Sequence, residues 1–213
     1  MPAEPTLIRL LMELRQQGIT NKEVLAAIER VPREAFVPES FKDRAYENIA
    51  LPIGFGQTIS QPAVVAFMSQ KIVPNRRAKI LEIGTGSGYQ AAILSKLFRR
   101  VYTIERYREL ARSAEKRFRE LRLNNIVPLW GDGTKGWAEQ SPFDRIILTA
   151  GLEAIPSSLF DQLAVDGLII APVGQSNEEQ KLVCYRKTIE GISSEDLWGV
   201  RFVPVVNGIV DLD

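Results

Sequence analysis

A glycine-rich turn between a predicted strand and a predicted helix constrains the fold of this 213-residue chain more than any other feature. The apolar run at residues 79–83 is typical of a buried strand, and residues 88–98 are typical of a helix. Gly84, Gly86 and Gly88 follow the strand at alternate positions. Glycine allows a positive φ and lets a ligand approach the backbone, and the following helix presents free N–H groups. The turn therefore predicts an α/β fold with a ligand at the carboxyl end of this strand.

The chain after this turn alternates between strand and helix patterns. Further strands are predicted at residues 101–104, 126–130, 143–149 and 168–172, and helices at 107–121 and 156–163. After residue 172 no helix is predicted, and residues 181–187 and 197–206 are typical of two strands added antiparallel at a sheet edge. This order predicts a Rossmann-like, doubly wound and mostly parallel sheet with helices on both faces.

The first 62 residues follow a different pattern. One helix is predicted from four leucines at helical spacing: Leu7, Leu10, Leu11 and Leu14. A second is predicted between the Thr20/Glu23 pair, which matches a capping box, and Pro32. Residues 33–62 predict a long loop whose aromatic side chains argue against disorder, and residues 63–72 predict a helix. We therefore expect N-terminal helices and a covering loop at 1–62 and the α/β core at 63–213, within one compact domain.

The absence of histidine excludes several kinds of active site. Without imidazole there is no Ser-His or Cys-His pair and no histidine-bearing metal site, and no carboxylates cluster at ligand spacing, so we expect no metal. The single cysteine, Cys184, cannot form an internal disulfide and stands in an apolar run typical of a buried strand. The net charge of +1 gives no field to recruit nucleic acid or a membrane. The first residues lack a signal-peptide pattern, so we expect a cytoplasmic protein.

Three carboxylates stand at or near the ends of the predicted strands. Glu105 follows the strand after the turn, where a carboxylate can accept both ribose hydroxyls of an adenosine ligand. Asp132, followed by Gly133, ends the next strand and is placed to accept the adenine amine, although Asp-Gly is also a common turn pair. Glu82 stands two positions before Gly84, where its charge would attract a cationic group.

The spacing of the turn separates two classes of adenosine ligand. A dinucleotide fingerprint has a glycine at the sixth position, where this chain has Tyr89. Residues 82–88 read instead Glu-x-Gly-x-Gly-x-Gly, which is the pattern of S-adenosylmethionine methyltransferases. This cofactor has no pyrophosphate, but its ammonium and sulfonium favour a nearby carboxylate such as Glu82. We therefore expect the turn to bind S-adenosylmethionine. The alternatives are an NAD-dependent oxidoreductase and a turn that binds no ligand.

The polar run at residues 54–62 closes the predicted loop just ahead of the helix at residue 63. Spacing alone favours Ser60 as a capping residue for that helix.

The sequence closely resembles the protein-L-isoaspartate O-methyltransferase family, within the class I S-adenosylmethionine-dependent methyltransferases, and especially its bacterial branch. Matching runs extend over nearly the whole chain, at residues 31–38, 54–62, 81–91, 130–133, 142–144, 167–174 and 200–204. The run at 54–60 is specific to this family among methyltransferases. The resemblance implies that Ser60 is the active-site residue. It also implies that the backbone of four residues covers the cofactor: Gln57, Thr58, Ile59 and Ser60.

The activity implied by the resemblance is methyl transfer from S-adenosylmethionine to the α-carboxylate of L-isoaspartyl residues in damaged proteins and peptides. An α-carboxylate, with a pKa of about 3.3–3.7, is ionised at neutral pH, so no general base is needed in a chain without histidine. We expect a monomer. The alternatives are a small-molecule methyltransferase on the same fold and a module that binds the cofactor without catalysis.

Two departures from the family pattern bear on substrate preference. Where many members have Ala-Pro-His after the serine, this chain has Gln61-Pro62-Ala63. Residues 150–156 read Ala-Gly-Leu-Glu-Ala-Ile-Pro, where the family often carries Ala-Ala-Pro-Pro-Glu-Ile-Pro.

Overall fold

The strands predicted from the alternating pattern form the centre of a seven-stranded sheet in the computed structural model, which describes residues 5–175 and 178–211. Its strands are β3 (Lys79–Ile83), β4 (Arg100–Glu105), β5 (Ile126–Trp130), β6 (Phe143–Leu148), β7 (Leu163–Val173), β8 (Gln180–Thr188) and β9 (Gly191–Val200). They lie in the order β5-β4-β3-β6-β7-β8-β9. The first five strands in this order are parallel, and β8 and β9 pair antiparallel. The predicted mostly parallel sheet with antiparallel edge strands is confirmed.

Helices cover both faces of this sheet. They are α1 (Pro5–Gln16), α2 (Lys22–Arg30), α3 (Pro62–Lys71), α4 (Tyr89–Ser95), α5 (Arg108–Glu120) and α6 (Ser157–Asp161). Side chains alternate along a strand, so in β3 Ile80 packs with the α1–α5 side of the core, whereas Leu81 and Ile83 pack with Leu159 of α6 on the other side. Within the described residues, no helix combines the length and apolar character needed to span a bilayer.

Residues 33–62 contain more regular structure than the predicted loop. Two 3₁₀ segments, Arg33–Phe36 and Glu39–Arg44, precede an antiparallel hairpin of β1 (Leu51–Gly54) and β2 (Gln57–Ile59). Gly54, Phe55 and Gly56 all have positive φ in its turn. The prediction of a loop was wrong here because a proline and two glycines within nine residues hide the alternation by which short strands are recognised.

Several predicted boundaries also differ from the structure. Asn21, rather than Thr20, caps α2, because its Oδ1 accepts the N–H groups of Glu23 at 2.9 Å and Val24 at 3.1 Å. The helix predicted at 88–98 begins only after Gly88, whose φ of 91° is outside the helical region, and ends at Ser95.

The remaining differences concern α6, β7 and the last strand. Helix α6 is shorter than the predicted 156–163, and β7 begins five residues before the predicted 168. The last strand covers 191–200 rather than 197–206, because the outermost strand of a sheet pairs through its backbone and needs no buried apolar face.

Candidate functional site

The carboxyl ends of β3 and β4 open into a cavity of about 250 Å³. The glycine turn lines one side, the β1–β2 hairpin another and residues 203–206 a third. The structure brings eight of the eleven predicted site residues to its wall: Gln57, Thr58, Ile59, Ser60, Gly84, Gly86, Glu105 and Gly133. Ligands in open α/β sheets bind at this end of the strands, so the cavity lies where a cofactor is expected.

The glycine turn has the open backbone that a ligand needs. Gly84 has a φ of 97°, and a Cβ added there would lie 2.5 Å from the hydroxyl oxygen of Thr149. Thr149 donates its hydroxyl proton to the carbonyl oxygens of Ile83 and Gly84, which fixes the turn against the end of β6. A side chain at Gly84 would therefore displace this contact as well as strain the backbone.

Glu105 lies at the end of β4 and is only 5% exposed. Its Oε2 accepts the N–H of Gly86 at 2.7 Å, and its Oε1 accepts the N–H of Tyr107 at 3.0 Å. Burial raises the pKa of this carboxyl, although the backbone hydrogen bonds oppose the shift. Each carboxylate oxygen has a second lone pair, so Glu105 can still accept hydroxyl donors from the cavity.

Glu82 is fully enclosed and is not part of the cavity wall. It is fully buried, accepts a hydrogen bond from the Thr103 hydroxyl through Oε2, and its Oε1 has no hydrogen-bond partner among the described residues. Burial raises its pKa to about 8, and the neighbouring Glu105 adds to the shift while Thr103 opposes it. An unsatisfied buried oxygen at this position fits a ligand that brings a cationic donor.

Gly88 and Asp132 also lie outside the cavity wall. A Cβ at Gly88 would lie 2.6 Å from the Phe118 ring of α5, so this glycine is required by packing. Asp132 accepts the N–H of Thr134 at 3.0 Å and that of Gly208 at 2.9 Å. Although burial opposes the shift, the hydrogen bond that the Thr134 hydroxyl donates at 2.7 Å and these backbone bonds hold the pKa of Asp132 below its usual value. Its carboxylate thus anchors the C-terminal segment, and the neighbouring Gly133 alone reaches the cavity.

A second cavity, of about 390 Å³, adjoins the first. Its wall includes Val64, Trp198, Arg201 and Phe202, none of which was predicted as a site residue. Four residues line both cavities: Thr58, Ser60, Thr149 and Val203. Molecules bound separately in the two cavities would therefore meet at these four residues, of which Ser60 is one.

Ser60 is not the cap of α3. The N-cap residue is Gln61, and its side chain makes no capping hydrogen bond. Oδ1 of Asn48 instead accepts the N–H of Ala63 at 2.9 Å. The capping interpretation of Ser60 was therefore wrong. What holds the serine is a buried arginine, Arg33, whose Nη2 donates to the Ser60 carbonyl oxygen at 2.9 Å.

The altered run at residues 150–156 lies at the edge of the first cavity. Ala150 is part of its wall, and Gly151 exchanges backbone hydrogen bonds with Val203 at 2.8 Å and Val205 at 2.6 Å. A Cβ at position 151 would lie 2.4 Å from the Gln180 amide nitrogen, so the glycine at this departure admits the Gln180 side chain.

Cys184 lies on β8 and is partly exposed rather than fully buried. Burial nevertheless raises the pKa of its thiol.

Comparisons with known proteins extend over nearly the whole chain. A family model described as protein-L-isoaspartate(D-aspartate) O-methyltransferase matches residues 7–209. The protein-L-isoaspartate O-methyltransferase of Paramagnetospirillum magneticum is 55% identical over 208 residues, which cover 97% of this chain and 97% of that protein.

Two solved structures share the fold. A protein-L-isoaspartate O-methyltransferase structure has a TM-score of 0.87 at 26% identity, with 95% of this chain and 67% of that chain covered. A Plasmodium falciparum structure assigned to the same enzyme, in complex with S-adenosyl-L-homocysteine, has a TM-score of 0.81 at 24% identity, with 93% and 97% covered.

Proposed function

The chain belongs to the protein-L-isoaspartate(D-aspartate) O-methyltransferase family, and from this premise we propose how its two cavities divide the reaction. The enzyme transfers a methyl group from S-adenosylmethionine to the α-carboxylate of L-isoaspartyl residues in damaged proteins and peptides. The first cavity, at the glycine turn, takes the cofactor, and the second takes the isoaspartyl residue. The observation that carries this division is that Ser60 lines both cavities.

The residues around the first cavity suit S-adenosylmethionine, which supplies a methyl group on a sulfonium. Glu105 would accept the ribose hydroxyls, since it is fixed by two backbone N–H groups and keeps free lone pairs. Gly84 and Gly86 would admit the ligand to the backbone, and the hairpin residues 57–60 would cover it. Gly133 would face the adenine.

Three predicted cofactor residues take indirect roles in this proposal. Glu82 would offer Oε1, which has no hydrogen-bond partner among the described residues, as an acceptor, and a cationic ligand group nearby would favour its ionised form. Gly88 would let α5 pack against the turn, and Asp132 would hold the C-terminal segment over the cavity.

The chain's own residues have little acid–base chemistry to perform, because the substrate carboxylate is already ionised. The Ser60 hydroxyl would donate a hydrogen bond to one carboxylate oxygen and leave the other directed at the cofactor cavity. Val64, Trp198 and Phe202 line the substrate side and would exclude water from the nucleophile. Catalysis then depends mainly on orientation, which places strict demands on the position of Ser60.

The test is labelled methyl transfer from S-adenosylmethionine to an isoaspartyl peptide, beside its normal aspartyl isomer. Ser60→Ala should lower the single-turnover rate at least about tenfold, equivalent to about 1.4 kcal/mol in barrier. Cofactor affinity should change little, and so should the melting temperature, because the Ser60 side chain caps no helix. Ser60→Thr keeps the hydroxyl but adds a methyl group, and we expect partial activity at best.

Ser157→Ala provides a matched control, since Ser157 also stands at the start of a helix but lines neither cavity. It should leave the rate unchanged. A stable Ser60→Ala variant at the full rate would exclude the proposed role of Ser60.

We further propose that the enzyme acts as a cytoplasmic, metal-free monomer without nucleic-acid or membrane partners. The net charge of +1 supports the absence of nucleic-acid and membrane partners. Residues 1–62 would then serve as the N-terminal helices and cover of the 63–213 core. Sedimentation of the purified chain and an assay after chelator treatment check the oligomeric state and the metal independence.

A further inference from the structure

Arg33 is fully buried, yet none of the described residues forms an ion pair with it. Its guanidinium donates to three backbone carbonyl oxygens, from Nε to Ala45 at 2.9 Å and from Nη2 to Ile49 at 3.3 Å and Ser60 at 2.9 Å. Nη1 has no hydrogen-bond partner within the described part of the chain. Burial of a cation without a carboxylate is costly and lowers the pKa of this group. The hydrogen bonds to backbone carbonyls and the contact with the Tyr89 ring offset this cost.

Those bonds fix the short link between β2 and α3 that carries Ser60. Arg33 holds the carbonyl of Ser60 at one end of the link, and Asn48 holds the N–H of Ala63 at the other end at 2.9 Å. A side chain leaves its Cα in a direction set by the local backbone, so restraint of the Ser60 peptide plane also restrains the hydroxyl. Both restraining side chains come from the segment at 33–48, which touches neither cavity.

The same guanidinium also contacts the wall of the cofactor cavity. Its central carbon lies 4.8 Å from the centroid of the Tyr89 ring, and Tyr89 lines that cavity. Phe36 packs edge-on against the same ring, with 5.5 Å between centroids. Arg33 therefore joins the serine backbone and the cofactor-cavity wall through a single rigid, planar group.

We propose that Arg33 is a positioning residue that sets the direction of the Ser60 hydroxyl relative to the cofactor cavity. The proposal rests on the role of Ser60 proposed above. Arg33 acts through the Ser60 carbonyl and touches neither substrate nor cofactor. A lysine keeps the charge but cannot reproduce the planar fork that reaches three carbonyls from two nitrogens.

The first experiment compares Arg33→Lys with Arg145→Lys. Arg145 serves as the control because its partly buried guanidinium likewise donates to backbone carbonyls, those of Ile72 at 2.9 Å and Asp144 at 2.7 Å, near the start of β6, and it lines neither cavity. With an isoaspartyl peptide and saturating S-adenosylmethionine, Arg33→Lys should lower kcat at least tenfold. The Kd for S-adenosylhomocysteine should change less than threefold. Arg145→Lys should lower kcat less than twofold, even if the melting temperatures of the two variants fall by similar amounts.

The second experiment asks whether Arg33 works through the serine. In a double-mutant cycle, Arg33→Lys should slow the Ser60→Ala enzyme by less than twofold, because the group it positions is already absent. If Arg33→Lys does not fold, Asn48→Ala takes its place in the same cycle, with an expected threefold loss alone and none on the Ser60→Ala background.

The outcomes separate the two proposals. Full activity of a folded Arg33→Lys variant would overturn the positioning role. So would an effect of Arg33→Lys or Asn48→Ala that is as large in the Ser60→Ala enzyme as in the parent. Neither result would contradict the proposed role of Ser60. Full activity of Ser60→Ala would overturn the role of Ser60 and the present inference with it.

Discussion

Glu82 is a fully buried carboxyl group under the glycine turn, and burial raises its pKa from 4.5 to about 8. Between these two pH values the folded chain keeps a proton that the unfolded chain releases. The contribution of Glu82 to the free energy of unfolding is therefore present at low pH and falls as the pH rises from about 4.5 to about 8. The slope is at most about 1.4 kcal/mol per pH unit.

Replacement of Glu82 by glutamine removes this proton equilibrium but keeps an oxygen that can accept the Thr103 hydroxyl. We expect Glu82→Gln to be more stable than the parent at pH 8–9, with a difference that shrinks towards pH 5. Urea unfolding across this range measures it. Glu29→Gln, an exposed change on α2, is the control for the loss of a carboxylate elsewhere on the chain. A stability difference between Glu82→Gln and the parent that does not change with pH would contradict the raised pKa of Glu82.

At the level of secondary structure, the sequence predicts those elements whose side chains are buried on a regular period. Strands β3 and β5 agree with prediction at both ends, because each is a short apolar run bounded by turn residues. The β1–β2 hairpin and the polar start of β9 escaped prediction, since both are held by backbone pairing and show little of that period.

The candidate site was predictable to the extent that it depends on local chain geometry. The glycine turn and Glu105 are close in sequence to the strands that place them, so their spacing alone brought them together. Arg33 and Trp198 were missed as site residues because their positions follow from contacts over long sequence separations, such as the 27 residues between Arg33 and Ser60. No local pattern records such contacts.

The packing of α5 against the glycine turn leads to a prediction at the level of elements. Gly88 and Gly18 have similar φ values, 91° and 87°, but a Cβ at Gly88 would lie 2.6 Å from the Phe118 ring, whereas nothing lies within 4 Å of one at Gly18. Gly18→Ala should therefore lower the free energy of unfolding only through backbone strain, by roughly 1–2 kcal/mol. Gly88→Ala should lose about 1–3 kcal/mol more through overpacking. Thermal or urea unfolding compares the two, and equal losses would exclude the steric role of Gly88.

For the whole molecule, the cofactor cavity is assembled from three parts that are far apart in the sequence. The hairpin at 51–59 and the segment at 203–206 close over the glycine turn from two sides. The ring of Phe55 at the hairpin tip packs on Tyr107, with 5.5 Å between centroids. Backbone hydrogen bonds join Arg106 to Val210 at 2.8 Å and Arg108 to Val210 at 3.1 Å. The cavity thus depends on the C-terminal segment, although that segment lies outside the sheet.

Truncation after Val206 tests this dependence. It leaves the cavity-lining residues 203–206 in place but removes the hydrogen bond from Gly208 to Asp132 and the backbone bonds of Val210 that hold them down. We expect the affinity for S-adenosylhomocysteine to fall about tenfold, or about 1.4 kcal/mol, as the segment gains freedom that binding must remove. Because most of residues 207–211 are exposed, the melting temperature should change little.

The matched control for the truncation is Asp211→Ala, which breaks only an ion pair with Arg108 at 2.7 Å. Exposed pairs of this kind contribute roughly 0–1 kcal/mol, so its affinity should stay within a few-fold of the parent. The KM for the isoaspartyl peptide at saturating cofactor should also change little in the truncated enzyme, because the substrate cavity is lined by residues before 204. Calorimetry that finds unchanged cofactor affinity after truncation would contradict this dependence and show that residues 203–206, which bond to Gly151 at 2.8 Å and 2.6 Å, hold their position without the bonds of Gly208 and Val210.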